Sequence, residues 1–180
     1  MLSDGKVLEA MRTGKIKIKP FERKHLGPNS YDLAIHDIVK HHKIANSQFS
    51  LAGQAREYYT WALPNSLRPG QTWTCATSEV VGCKENTLGI LSLRSNASRT
   101  GLIFQFSHLL DTGFEGVLSF SVHNPTPETF IIPKGWRPLQ IMFMHTCGKV
   151  SVPYDKRTTS KNTKQKSINE VNYKHERNNE

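Results

Sequence analysis

The spacing of apolar residues in the first part of the chain predicts one helix followed by strands. The chain begins with the pattern of a short amphipathic helix with a serine cap. Ser3 is the cap, apolar residues follow at helical spacing as far as Met11, and Gly14 ends the helix. Strict alternation over 15–19 predicts a half-exposed strand. An apolar run over 31–35 predicts a second strand after a Gly-Pro turn.

From Trp61 onward, short apolar runs are separated by proline and glycine turns. Strands are predicted over 102–106, 117–122, 130–132 and 139–144. Brief strands with regular turns are typical of an antiparallel sandwich or barrel. The pattern therefore predicts a mainly β protein.

Two polar regions interrupt this pattern. His36, His41 and His42 lie in a charged stretch that is predicted to be a solvated loop, and their spacing fits no standard zinc pattern. The sequence predicts irregular structure over 46–60. Residues 156–180 carry seven Lys or Arg against three Glu, so we expect one domain over 1–155 followed by a flexible basic arm.

Composition narrows the range of partners. A formal charge of +9 over 180 residues favours an anionic partner, either nucleic acid or a free nucleotide. Three cysteines without CxxC spacing indicate neither a disulfide framework nor a zinc site. We expect a soluble cytoplasmic protein, because no apolar run is long enough for a membrane span and the N-terminus lacks a signal-peptide pattern.

The densest candidate chemistry lies between residues 94 and 124. A turn there carries two guanidinium groups and three hydrogen-bonding side chains (Arg94, Ser95, Asn96, Ser98 and Arg99). Arginine forks bind phosphate oxygens in bidentate fashion. The hairpin that follows carries Asp111, which could activate water, and Phe114, which could stack on a base. The alternative is a surface hairpin with a solvated basic turn.

Polar residues on predicted strands mark further candidates. Asp32 and Gln140 each interrupt an apolar run, so each requires a partner if it is buried. In the strand over 117–122, a period of two places Ser121 and His123 on the face opposite Phe120. That polar face could line a pocket or meet water.

Several segments together resemble the dCTP deaminase and dUTPase superfamily. They occur in the order expected for that superfamily and cover most of the chain: LGPNSYDLAI, RSNASRTGL, LLDTGFEGVLSFSVHN, PKGWRPLQIMF and YDKRTTSKNTKQKS. The resemblance implies a dUTPase-like distorted, jelly-roll-like β-barrel that assembles as a homotrimer. It also implies a pyrimidine deoxynucleoside triphosphate as substrate.

The resemblance assigns roles to individual residues. It implies that the triphosphate, with Mg²⁺ bridging its oxygens, is held by the basic turn, Gln140 and the C-terminal arm (Arg94, Ser95, Asn96, Arg99, Gln140, Lys161 and Gln165). Asp111 takes the place of the aspartate that activates water for attack on the α-phosphorus in dUTPases. Phe114 takes the place of the aromatic residue that packs on the nucleoside, and Gln105 lies where the pyrimidine edge is read.

One departure from the resemblance separates the possible activities. Ser121 stands where the deaminases carry a proton-shuttling glutamate, and Leu109 stands where they commonly carry an arginine. A serine hydroxyl is neither acid nor base in the needed pH range. His123 and Glu115 are the nearby candidates for replacing it.

These observations favour a diphosphohydrolase that cleaves dUTP, or dCTP, to the monophosphate and pyrophosphate. One alternative is a dCTP deaminase with an altered proton shuttle, and another is a catalytically weak nucleotide-binding sensor. A nucleic-acid binder is disfavoured, because the basic residues are interleaved with phosphate motifs and no recognition helix is visible.

Overall fold

The computed structural model describes residues 1–42, 58–157 and 164. The predicted N-terminal helix is present, and strands make up most of the remaining regular structure. The elements, in chain order, are α1 (Asp4–Arg12), β1 (Ile16–Lys19), β2 (Tyr31–Leu33), β3 (Ile38–His42), β4 (Tyr58–Ala62), β5 (Asn65–Leu67), β6 (Thr72–Cys83), β7 (Thr87–Leu93), α2 (Ser95–Ser98), β8 (Ile103–Phe106), β9 (Leu109–Leu110), β10 (Glu115–His123), β11 (Phe130–Ile132) and β12 (Leu139–His145).

The long strand β6 organises the larger sheet. It pairs antiparallel with β10 along one edge and with β1 and β3 along the other, in the order β4-β3-β6-β10-β8. A second sheet has the order β2-β12-β7-β9, and β5 pairs with β11. The mainly β class is confirmed. The described strands form three sheets and do not close into one hydrogen-bonded barrel.

Both large sheets contribute side chains to one core. Trp73 and Val122 from the larger sheet and Ile141 and Phe143 from the second sheet are at most 1% exposed. Helix α1 contributes Val7 to the same cluster. Burial of each such side chain stabilises the fold by about 1.5–3 kcal/mol. From Leu118 to His123 along β10, buried and half-buried residues alternate as the sequence predicted, whereas Gly116 and Val117, before the shift of register with β6, are both buried.

The predicted loop around the histidines is wrong for residues 38–42. These residues form β3, because Val39 is fully buried and the strand pairs with both β4 and β6. The His41 ring stacks on Trp61 at a centroid distance of 4.7 Å, and burial lowers the pKa of His41. β4 begins at Tyr58, inside the stretch predicted to be irregular.

The chain after β12 returns to pack on the turn that precedes β10. The Tyr154 N–H donates to the Thr112 carbonyl at 2.8 Å, and the Tyr154 ring lies 5.8 Å from Phe114. Gly113 has φ +95°, and a Cβ placed there would lie 2.8 Å from the Tyr154 nitrogen. Within the described residues, no helix is long and apolar enough to cross a membrane.

Asn124 is predicted to be a structural residue. Its buried amide donates to the Leu67 and Glu128 carbonyls at 3.0 and 2.7 Å and accepts from Thr126. Asn124→Ala should lower the free energy of unfolding in urea by about 2–4 kcal/mol, because two carbonyls lose their donor. Asn86→Ala, at an exposed position, is the matched control and should change stability by less than about 0.5 kcal/mol. Equal effects of the two substitutions would contradict this role.

Gly113→Ala should separate the segment around Tyr154 from the turn before β10. The added methyl group clashes with backbone, so we expect a loss of about 1–3 kcal/mol and faster trypsin cleavage after Lys156. Gly70→Ala is the control, because Gly70 has a similar φ of +74° with nothing within 4 Å of the added Cβ. If Gly70→Ala accelerates the cleavage equally, the contact is not what holds this segment.

Candidate active site

Arg94 lies at the end of β7, where two acceptors hold its guanidinium. Its Nη2 lies 3.0 Å from Asp32 Oδ2, and its Nη1 donates to the Arg137 carbonyl at 3.1 Å. The Arg94 side chain is 33% exposed, so part of its donor fork faces solvent. The partner that Asp32 requires is therefore Arg94. Burial is the largest influence on the pKa of Asp32 and raises it, although Arg94 and Arg137 oppose that effect.

An ion pair with a buried carboxylate lies next to these contacts. Glu79, on β6, is 1% exposed and accepts from Arg137 Nη1 at 2.7 Å and from the Ala34 N–H at 2.9 Å. The same Arg137 nitrogen donates to the Asp32 carbonyl at 2.5 Å. A buried carboxylate without a cation would be costly, so Arg137 is fixed in place.

The basic turn forms the one-turn helix α2. Ala97 is buried and anchors it, while Ser95, Asn96 and Arg99 are exposed. The Asn96 Oδ1 accepts the N–H of Ala97 at 2.8 Å, so this side chain partly serves its own backbone. The exposed side chains present hydroxyl, amide and guanidinium groups to solvent, as an anion site requires.

Gln140 has the partners that its place in a buried strand requires. Its Oε1 accepts from the Ser30 hydroxyl at 3.1 Å, and its Nε2 donates to the Leu93 carbonyl at 3.1 Å. In the register of the second sheet, Gln140 lies opposite both Asp32 and Ser92. The predicted phosphate residues Arg94 and Gln140 thus meet at one end of this sheet.

Asp111 and Phe114 lie together on the turn before β10. Asp111 is exposed, and its carbonyl accepts the N–H of Phe114 at 3.1 Å. A cavity of about 200 Å³ beside them is also lined by Ser119 and Tyr154. A carboxylate in the wall of a cavity, next to an aromatic ring, can orient water at a bound ligand.

The two halves of the predicted site are far apart within one chain. Leu110 pairs with Gly89, whereas Arg94 follows the other end of β7. At about 3.3 Å per residue, roughly 15–20 Å separate Asp111 from Arg94. Neither Arg94 nor Arg99 lines the cavity beside Asp111. Lys161 and Gln165 lie outside the described residues.

The base-reading candidates share one row across the larger sheet, which we call the Lys40 row. Ser121 lies opposite Gln105 on β8 and opposite Thr74 on β6, and Thr74 lies opposite Lys40 on β3. Opposed residues on neighbouring strands project from the same face. His123 lies one pleat along, with its Nδ1 2.9 Å from the Thr72 hydroxyl. Burial lowers the pKa of Lys40.

The described residues contain no group of three His, Cys, Asp or Glu side chains that could hold a metal ion. Mg²⁺ commonly binds through substrate phosphates and one or two carboxylates. Asp111 is an exposed carboxylate in the wall of the cavity. The residues present therefore fit a Mg²⁺ ion that is held mainly through the phosphates of a substrate.

Sequence reasoning missed four residues of this site. The sequence predicts a loop around Lys40, and only the pairing of β3 with β6 places Lys40 opposite Thr74. Tyr154 lines the cavity because the chain after β12 folds back onto the Asp111 turn. Glu79 and Arg137 are distant in sequence. Glu79 directly precedes the apolar pair Val80-Val81, and an acidic residue in that position was a usable signal of a buried charge.

Comparison with known proteins identifies the family. The profile of the dCTP deaminase-like family matches residues 1–146. The dUMP-forming dCTP deaminase of Hydrogenobaculum sp. (strain Y04AAS1) is 24% identical over 146 residues, which are 79% of this chain and 81% of that protein. The dCTP deaminase of Thermococcus kodakarensis is 29% identical over 155 residues, or 86% and 88% of the two chains.

The fold also matches a solved structure. The crystal structure of 2'-deoxycytidine 5'-triphosphate deaminase from Agrobacterium tumefaciens superposes with a TM-score of 0.63 at 16% identity. The match covers 79% of this chain and 47% of that chain. Since the family profile spans well over half of the sequence, the protein belongs to the dCTP deaminase-like family.

Proposed function

We propose that this protein hydrolyses a pyrimidine deoxynucleoside triphosphate, dUTP or dCTP, to the monophosphate and pyrophosphate. The observation that carries the proposal is the exposed Asp111 carboxylate beside Phe114 in the wall of a cavity. The turn that holds it is fixed by backbone bonds from Gly113 to Cys83 at 2.7 Å and from Tyr154 to Thr112 at 2.8 Å. A fixed carboxylate can orient a nucleophilic water.

The reaction follows from the charges of these groups. A water oxygen bonds to the α-phosphorus, Asp111 accepts its proton, and the bond to the pyrophosphate oxygen breaks. Arg94 and Arg99 stabilise the negative charge on the phosphoryl oxygens as the transition state forms. Mg²⁺, held through those oxygens, would neutralise further charge. Phe114 packs on the nucleoside.

The distance between the two halves of the site supports a site shared between subunits, and the resemblance to the family implies that these subunits form a homotrimer. Arg94 and Asp111 of one chain are roughly 15–20 Å apart, so Arg94 of one subunit would face Asp111 of the next. Large apolar side chains that an interface could cover are exposed on the described surface: Ile103 is 49%, Leu109 49% and Ile131 74% exposed. The C-terminal arm, with Lys161 and Gln165, would close over the phosphates.

Deamination of dCTP is the second candidate, and the names of the relatives favour it over hydrolysis alone. Forming dUMP from dCTP requires loss of an amine and of two phosphates, so the two activities can coexist in one site. Replacement of the amine needs a group that moves protons, and Ser121 cannot serve. His123 and Lys40 are the titratable side chains on that sheet face nearest to Ser121 in the register.

Asp111→Asn should separate turnover from binding. Removing the water-activating charge should lower kcat by at least about 100-fold, with the affinity for a non-hydrolysable α,β-imido analogue of dUTP changed less than about threefold. Asp37→Asn is the control. The Asp37 carboxylate is exposed, its Oδ2 lies 3.5 Å from Lys134 Nζ, and neither residue lines the cavity. An Asp111→Asn variant with wild-type kcat would refute the assigned role.

Product analysis of the purified protein with Mg²⁺ and each pyrimidine deoxynucleoside triphosphate should decide between the candidates. We expect equimolar pyrophosphate and monophosphate by anion-exchange chromatography. Uracil products and ammonia from dCTP would show that deamination persists despite Ser121. Binding without any product would refute the enzymatic proposal and favour a nucleotide sensor.

A further inference from the structure

Two residues of one short segment contact Arg94 and Gln140, which lie at one end of the second sheet that we call the Arg94 end. The Ser30 hydroxyl donates to Gln140 Oε1 at 3.1 Å. Asp32, two residues later, pairs with Arg94 at 3.0 Å. Asp32 and Gln140 are also direct partners in the register of β2 and β12. The segment that carries Ser30 and Asp32 therefore contacts both candidates at once.

These contacts orient the Arg94 guanidinium and leave some of its N–H donors available. A guanidinium has five N–H donors, and in Arg94 Nη2 faces the Asp32 carboxylate while Nη1 donates to the Arg137 carbonyl. Its remaining donors can still form a fork toward an anion. Without the Asp32 carboxylate, a side chain with four rotatable bonds would sample many conformers, and a bound phosphate would have to select one of them.

The support beneath Asp32 makes its position rigid. The Asp32 carbonyl accepts from Arg137, which the buried Glu79 holds at 2.7 Å. The Asp32 side chain itself is 22% exposed. A partly desolvated carboxylate on a fixed backbone gives a stronger and better directed contact than an exposed ion pair.

We propose that Asp32 is a positioning residue for triphosphate binding: it holds the Arg94 guanidinium in its phosphate-binding orientation, and Ser30 does the same for Gln140. The inference rests on the proposed function, because it takes Arg94 and Gln140 as phosphate ligands. Asp32 itself does not touch the nucleotide.

The test measures binding by isothermal titration calorimetry with three probes in Mg²⁺ buffer: the α,β-imido analogue of dUTP, dUMP and inorganic tripolyphosphate. Asp32→Ala should weaken both triphosphates by about tenfold or more and leave dUMP unchanged. Asp32→Asn keeps an oxygen acceptor for Arg94, so it should restore binding to within about threefold of wild type. Asp37→Ala, which removes an exposed pair with Lys134, should change nothing.

A double-mutant cycle identifies the partner through which Asp32 acts. In an Arg94→Ala background, Asp32→Ala should cause no further loss of triphosphate affinity, because the residue that it positions is gone. Additive losses, equal losses for dUMP and the triphosphates, or wild-type binding by Asp32→Ala would each overturn the inference. Thermal melts of all variants measure their stability. A merely structural effect of Asp32→Ala would lower the melting temperature and weaken the binding of all three ligands equally.

The probes also separate this inference from the proposed function. If the wild type binds inorganic tripolyphosphate but no pyrimidine nucleotide, the proposed function fails, and the Asp32 cycle is still decided with tripolyphosphate. If the wild type binds the dUTP analogue and Asp32→Ala binds it equally well, the proposed function stands and the positioning role is wrong. Absence of binding to all three probes overturns both.

Discussion

The arrangement of the residues around Arg94 depends on one ion pair with a buried carboxylate. Glu79 lies on β6 of the larger sheet and is 1% exposed, and Arg137 lies two residues before β12 of the second sheet. Their contact at 2.7 Å joins the two sheets, and Arg137 also donates to the Asp32 carbonyl in β2. Separating such a pair leaves a buried charge, which typically costs about 3–5 kcal/mol. The free energy that maintains this contact therefore also fixes the acceptors around Arg94.

The Asp111 turn depends on a different set of constraints. Asp111 is exposed and its turn is held by backbone hydrogen bonds and by the close approach of Gly113 to Tyr154. The Arg94 end and this turn occupy opposite ends of β7, so each can be rigid without the other. The proposed reaction needs both, so a second copy of the chain would have to supply the half that lies out of reach.

Much of this architecture could be predicted from local pattern. Alternation predicted β1 and the two faces of β10, and the apolar runs predicted β11 and β12. Asp32 and Gln140 were recognised because each polar residue interrupts an apolar run. The ion pair of Glu79 with Arg137 could not be predicted, because it joins residues 58 positions apart. β3 could not be predicted, because three polar residues in a row, Lys40 to His42, follow Val39, and the burial of Val39 comes from pairing of the strand with β4 and β6.

The division of the site bears on which chemistry the chain can perform. The proposed release of pyrophosphate needs phosphate ligands and one carboxylate, and the proposal assigns these roles to the residues around Arg94 and to the Asp111 turn. Deamination adds a requirement on the ring side, where Ser121 lies opposite Gln105 and Thr74. Hydroxyl and amide groups there can bind a pyrimidine edge through hydrogen bonds but do not move protons near neutral pH. The proposed release of pyrophosphate therefore places no demand on Ser121, whereas the alternative deamination needs a group elsewhere on this face that moves protons.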